Sequence, residues 1–393
     1  MIKDKWIEDI DLLALELPKK HKNLFFHKKE REFYEEIKGL KNNIDYYDSY
    51  EIAVNLGKIV ASFRDAHTSL SLPVRLLYPI ELYWFKDGIY VIHTLEEYKE
   101  ILSCKITHIN NIDIEEVINI LSGIVSYENQ WLLKAQLPKY LPAVEILYGL
   151  EIIDDFGSLE FTCEDQNGSK KTLEISPLAI KEAREKLKLE AINKLNNSTL
   201  LYKKNEEKYY WFEYLQNLKT VYFKYNACRN MNDINLNNFC EQLIKFIEEN
   251  DVEKLIVDFR NNFGGDSRLL EPFIEYVKSS KTINNKSNLF VIVGRETFSS
   301  ALLNVFMLKE NTNAIFIGEG SGGKPNCYGE VERFNLKNSG LTVCYSTKYY
   351  KIIEDDRLLS FMPDINIELS IEDYIENIDP CLEFILDYEH HLS

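Results

Sequence analysis

Residues 255–265 read Leu255-Ile256-Val257-Asp258-Phe259-Arg260-Asn261-Asn262-Phe263-Gly264-Gly265. The first five make a run of apolar residues interrupted only by one aspartate, the pattern of a strand buried on both faces of a parallel sheet. The paired glycines after it allow a tight bend and leave backbone N–H groups uncovered. On its own, a strand running into Gly-Gly is a turn in most proteins, so its neighbours decide the reading.

Upstream, Thr220-Val221-Tyr222-Phe223 predicts a strand, and Leu236, Phe239, Cys240, Leu243, Phe246 and Ile247 trace one face of a helix. Downstream, the pattern predicts a helix from about Ser267 to Tyr276 and a strand at Leu289-Phe290-Val291-Ile292-Val293. A helix from Ser300 to Leu308 and a strand at Ala314-Ile315-Phe316-Ile317 follow. This βαβαβ rhythm predicts a parallel sheet with right-handed crossovers, its reactive groups gathered at the carboxyl ends of the strands.

The rest of the chain has a different texture. Residues 1–70 read as a helical region, with Trp6, Ile10, Leu13 and Leu17, then Phe33, Ile37 and Leu40, at helical spacing. Residues 71–190 are β-rich, with runs at 82–85 and 89–92 around Lys86-Asp87-Gly88 and a helical run from Glu115 to Leu121. A polar stretch including Asn193, Asn196, Asn197, Lys203 and Lys204 suits a linker, and residues 205–393 form the expected core.

Composition narrows the function. The chain has 393 residues, enough for two or three domains, and its 45% hydrophobic share can build real cores. A formal charge of −17 argues against a nucleic-acid partner, whose phosphates would be repelled. No stretch predicts a membrane span, and the charged N-terminal residues do not read as a signal peptide. The 7 cysteines are scattered without a C-x-x-C pair, which predicts reduced thiols in a cytoplasmic protein and no metal site. No cofactor motif is present.

Three strand ends carry residues suited to chemistry. Gly264 and Gly265 could present N–H groups to an oxyanion. Ser299, in Thr297-Phe298-Ser299-Ser300-Ala301, lies where a strand gives way to a helix, near the positive end of the helix dipole. Serine is also a preferred N-cap, and capping is the plainer reading of that residue alone. Gly318-Glu319-Gly320-Ser321-Gly322-Gly323-Lys324 fails as a phosphate loop because Pro325 stands where Ser or Thr is required. Lys324 could instead deprotonate a serine, if burial lowers it from the usual ~10.4.

Taken together, Asp-Phe-Arg-Asn-Asn-x-Gly-Gly, then Phe-Ser-Ser-Ala, then Gly-Glu-x-x-Gly-Gly-Lys resemble the carboxyl-terminal processing (tail-specific) and tricorn-core serine peptidases. The likeness covers about residues 205–390 and ends at Phe361-Met362-Pro363-Asp364-Ile365, similar to the family's closing Pro-Asp strand. It implies an α/β catalytic core, a crotonase/ClpP-like βαβ superhelix, with an N-terminal helical region and a β-rich PDZ-like insert. It implies Ser299 as nucleophile and an oxyanion hole from Ser300 and Gly264 or Gly265. Lys324 matches the base of the processing branch. Arg64-Asp65-Ala66-His67-Thr68 resembles the Asp-x-His-Thr element of the tricorn branch, making His67 a second candidate base. His67 is preferred slightly, because a histidine near ~6.5 is neutral at pH 7 without perturbation.

The sequence around Ser299 lies nearer the tricorn-like side. That branch carries a glutamate near the Pro-Asp element, where this chain has Glu354, Asp355 and Asp356. A Gly-Leu-Gly-Phe-type carboxylate-binding loop is absent from the insert. The expected activity is acyl transfer from a peptide or unfolded protein to water through Ser299. An esterase would use the same groups. The alternative on this fold is a non-catalytic binding protein, as in the related retinoid-binding repeats, and the intact Ser299, Gly264, Gly265, His67 and Lys324 argue against it. Acyl-CoA chemistry would leave the serine without a role, and little near Cys327 besides Lys324 would activate a thiol.

Overall fold

The computed structural model describes residues 2–195 and 200–388. These fall into two compact units. The first holds the described residues within Met1–Glu128, Leu133–Asn197 and Cys327–Tyr350; the second holds those within Asn129–Leu132, Ser198–Asn326 and Lys351–Ser393.

The second unit is built on a six-stranded sheet ordered Tyr210–Leu215, Thr220–Tyr225, Lys254–Asp258, Leu289–Val293, Ile315–Gly318 and Ile365–Asn366. The first pair is antiparallel and every later pair parallel. The predicted strands are all present because their apolar runs are buried on both faces. On one face, helices Leu236–Glu249, Glu271–Ser279 and Ser300–Asn311 share a core with Val221, Phe223, Leu255, Val257, Leu289 and Val291. On the other, Tyr222, Ile256, Phe290, Ile292 and Ile317 meet helix Pro380–Leu386 through Cys381 and Ile385. The expected helix over 267–276 divides into a 3-10 turn, Ser267–Leu270, and an α-helix, Glu271–Ser279. Pro272 explains the break, since it lacks an N–H and suits only the first turn of a helix.

The first unit has two cores. In one, helices Lys3–Lys20, Glu30–Asn42 and Ser49–Ala61 bury Trp6, Ile10, Leu13, Phe33 and Ile52 against Val343 and Tyr345 of the hairpin Cys327–Asn335 and Thr342–Tyr350. The third helix starts in a capping box: Asp48 Oδ1 accepts the Tyr50 and Glu51 N–H groups at 2.7 and 3.0 Å, and Glu51 accepts the Asp48 N–H at 2.6 Å. The two-residue strand Ser69–Leu70 pairs antiparallel with the hairpin, Ser69 opposite Cys344 and Leu70 opposite Val343. This pairing ties residues 327–350 to the first unit.

The other core belongs to an antiparallel sheet ordered Ile80–Phe85, Gly88–Thr94, Lys105–Ile109, Leu159–Glu164 and Lys170–Ile175, packed with helices Ile114–Ser122 and Val144–Gly149. Asn110 and Asn111 take positive φ of 49° and 61° at its predicted turn, a conformation asparagine tolerates. No helix among the described residues is long and apolar enough to cross a membrane.

Candidate active site

Strand Leu289–Val293 ends in a loop fixed by a short series of hydrogen bonds. Thr297, fully buried, donates through Oγ1 to the Phe259 carbonyl and accepts the Gly294 N–H, both at 3.0 Å. Phe298 N–H donates to the Asn262 carbonyl at 3.0 Å, and Gly323 N–H to the Thr297 carbonyl at 3.1 Å. The ends of three adjacent strands are therefore laced together around the residue that follows. That residue, Ser299, has φ 52° and ψ −127°. A side chain with a Cβ is strained there, and such strain persists only where the surroundings impose it. The bonds at Thr297 and Phe298 are the imposing contacts.

Ser299 precedes helix Ser300–Asn311, yet its side chain makes no capping hydrogen bond. The capping role that sequence alone favours is thus not taken up. Half-buried, the Ser299 hydroxyl has no hydrogen-bond partner among the described residues. Ser300 Oγ instead donates to the Gly265 carbonyl at 2.7 Å, tying the helix start to the glycine turn. Gly264 and Gly265 hold φ of 100° and 140°. The turn lies against the serine: a Cβ on Gly264 would sit 2.8 Å from Ser300 N and 2.9 Å from Ser299 Cβ. Ser299, Ser300, Gly264 and Gly265 are accordingly brought together.

Lys324 follows a loop pressed onto the same place. A Cβ on Gly323 would lie 2.9 Å from Leu302, 3.3 Å from Phe298 Cα and 3.4 Å from Ser299 N. The loop is anchored by Glu319, whose carboxylate takes a buried two-pronged ion pair from Arg295, including Nε at 2.7 Å. Asn129 Nδ2 adds bonds to the Gly322 and Leu359 carbonyls at 2.9 and 2.8 Å. Half-buried Lys324 has no hydrogen bond or ion pair among the described residues, so none joins it to Ser299.

His67 belongs to the first unit, with 8% of its side chain exposed. Asp65, fully buried, lies at its centre. The His67 N–H donates to Asp65 Oδ1 at 3.0 Å, and His67 Nδ1 is 4.0 Å from the same oxygen. The other oxygen receives Thr68 Oγ1 at 2.6 Å, Ser346 Oγ at 2.7 Å and His21 Nε2 at 2.8 Å. His21 Nδ1 accepts the Asn23 N–H at 3.0 Å, which leaves the ring proton on Nε2, facing Asp65. Burial works to raise the Asp65 carboxyl, but these bonds and the nearby imidazole outweigh it and hold it below its ordinary range. Burial pushes His67 below its usual 6.5, against the opposing pull of Asp65 and a bond involving the Tyr328 backbone. His67 is therefore neutral at pH 7, the state a base requires.

The three acidic candidates near the Pro-Asp element separate clearly. Glu354 is paired with Lys351, its side chain 95% exposed, and Asp355 is paired with Arg357 at the surface. Asp356 Oδ1 accepts from the Nδ2 of buried Asn326 at 2.6 Å. Asn326 stands two residues after Lys324, so only Asp356 of the three is bonded to the lysine's segment.

No protein-family model and no curated protein matches the sequence. In fold, the chain is similar to mature CPAF. The structure of mature CPAF complexed with lactacystin matches with a TM-score of 0.66 at 12% identity, over 98% of this chain and 99% of that one. A crystal structure of a candidate peptidase from Parabacteroides merdae ATCC 43184 matches with a TM-score of 0.50 at 13% identity, over 97% and 96%. At these identities the likeness to CPAF is one of fold.

Several residues that build these sites carry no mark in the sequence. No local signal points to His21, since its partner Asp65 lies 44 positions away. Asp65, Asn262 and Glu319 stand inside the quoted motifs, but their side-chain bonds depend on tertiary contacts that spacing does not reveal.

Proposed function

We propose that this chain is a serine peptidase that cleaves peptide bonds through an acyl-enzyme on Ser299. The observation that carries the reading is the Ser299 backbone: φ 52° at a strand–helix junction, with a hydroxyl not used for capping. Nucleophile elbows place a serine in such a strained turn so that its Oγ projects where a carbonyl can reach it. The Parabacteroides merdae fold neighbour, itself a candidate peptidase, supports the same reaction class.

In this mechanism Ser299 Oγ attacks the peptide carbonyl as its proton passes to His67, and the tetrahedral oxyanion is held by backbone N–H groups of the glycine turn and of Ser300. His67 then protonates the leaving amine, and water repeats the sequence to release the acid. Asp65 holds the His67 backbone through its N–H and faces the imidazole at Nδ1, 4.0 Å away. Lys324 assists as a positive charge, and Asp356 is the acid associated with its segment. The tricorn-like branch, the crotonase/ClpP-like core and the PDZ-like insert belong to the same proposal and rest on the sequence likeness.

A fluorophosphonate probe should label the wild-type protein and not Ser299→Ala, and an unstructured peptide should be cleaved only by the former. An unlabelled wild type that leaves such peptides intact would sink the reading. His67→Ala should then lose at least 10²-fold more kcat than Lys324→Ala, and the reverse ranking would move the base to Lys324.

A further inference from the structure

Asn262 is fully buried two residues before Gly264, and the chemistry above gives it no part. Its side chain and its carbonyl are nevertheless directed at the oxyanion turn and its supports. Nδ2 donates to the Tyr225 carbonyl at 2.9 Å, and Oδ1 accepts the Gly264 N–H at 2.9 Å. The backbone carbonyl accepts the Phe298 N–H at 3.0 Å. The Cys228 thiol also meets Oδ1, at 3.6 Å. One side chain therefore joins the end of strand Thr220–Tyr225 to the glycine turn, and its backbone grips the residue before Ser299.

This arrangement distinguishes the two glycines. The Gly264 N–H is committed to Asn262. The Gly265 N–H has no acceptor among the described residues, because the bridge between Cys228 and Gly265 runs through the atoms on either side. Cys228 N–H donates to the Gly264 carbonyl at 3.0 Å, and Asp266 N–H donates to the Cys228 carbonyl at 2.7 Å. The turn has no slack to exchange these roles: a Cβ on Gly265 would lie 2.1 Å from the Cys228 oxygen.

We propose that Asn262 is a positioning residue of the oxyanion hole: by engaging the Gly264 N–H, it leaves Gly265, together with Ser300, to supply the two donors. An amide side chain is needed because the site requires an acceptor for Gly264 and a donor for the Tyr225 carbonyl at once, and a neutral one because negative charge here would oppose the oxyanion. The proposal rests on Ser299 being the nucleophile.

The full chain and its Asn262→Ala and Asn262→Ser variants would be compared with a fluorogenic peptide and with a peptide aldehyde, whose adduct on Ser299 carries the oxyanion. Asn262→Ala should lower kcat about 10²-fold with KM little changed, and weaken aldehyde inhibition in step. Asn262→Ser keeps an acceptor that can bond two residues on, and should recover part of both losses. If the alanine variant does not fold, the serine variant carries the test, with an intermediate loss in kcat. Wild-type kcat in either folded variant, or a loss confined to KM, would overturn the assignment. Failure of the wild type to take a fluorophosphonate would instead remove the nucleophile, and this proposal with it.

Discussion

At Ser299 the backbone holds more information than the side chain. A positive φ on a residue with a Cβ costs on the order of 1 kcal/mol or more, which the bonds at Thr297 and Phe298 must offset. Glycine relieves that strain and alanine does not. Ser299→Gly should therefore be more stable than Ser299→Ala by about 1 kcal/mol in urea unfolding, with both inactive. Equal stability would mean an unstrained turn. His67 gives a second prediction at this scale. Its folded-state value lies below 6.5, so the unfolded chain takes up a proton before the folded one does. Any stability it contributes is complete above about pH 6.5 and declines as pH falls toward the lowered value. Activity should follow the neutral imidazole, with the acid limb of kcat/KM inflecting below about 6.5. Asp65→Asn removes a carboxylate that raises the imidazole, so it should move that limb further into acid. A limb unmoved by Asp65→Asn would detach Asp65 from the base.

The elements that carry the second unit's site are loops leaving adjacent parallel strands, and the Arg295–Glu319 pair locks two of them. Both side chains are nearly buried, and the guanidinium meets the carboxylate with two nitrogens. Breaking one side of such a pair leaves a buried charge, which costs about 3–5 kcal/mol. Glu319→Gln should destabilise by roughly that amount in chemical unfolding, whereas Arg295→Met/Glu319→Leu should cost much less. Strands such as Lys254–Asp258 and Leu289–Val293 are legible in the sequence because burial on both faces makes Leu255-Ile256-Val257 and all five residues of the second apolar. The helix at 236–249 is legible because Leu236, Phe239, Cys240 and Leu243 keep one face to the core. Ser69–Leu70 is not, since two residues carry no periodicity and their partner lies some 270 positions on. The hairpin at 327–350 escapes for a related reason: much of its first strand is exposed, so no apolar alternation marks it. At the candidate site, the motifs mark which residues to consider, but the Ser299 φ and the Asn262 bonds arise only from packing.

In each unit a buried aspartate gathers several polar partners: Asp65 in the first and Asp258 in the second. Asp258 takes Arg260 Nε at 2.9 Å, Lys224 Nζ at 3.1 Å and the Tyr222 hydroxyl. Arg260 carries the chain of contacts on to Asp379 with two further bonds, at 3.0 and 2.9 Å. Asp379 caps helix Pro380–Leu386, so the network fastens the C-terminal helix to the centre of the sheet. Its members are unequal. Asp258→Ala would leave buried Lys224 without its carboxylate, Arg260 keeping Asp379, and should cost about 3–5 kcal/mol, while Lys224→Met leaves Asp258 still paired with Arg260 and should cost far less. Burial pushes the Lys224 amine down to about 8, although Asp258 pulls the other way. The unfolded chain, near the ordinary ~10.4, then holds a proton that the folded chain has lost between those two values. Stability must rise with pH wherever the unfolded state binds more protons, here by about 1 kcal/mol per pH unit at most. Unfolding free energies measured from pH 8 to pH 10 should therefore climb more steeply in the wild type than in Lys224→Met. Parallel curves would mean that Lys224 keeps its proton in the fold, held by Asp258 more strongly than burial opposes it.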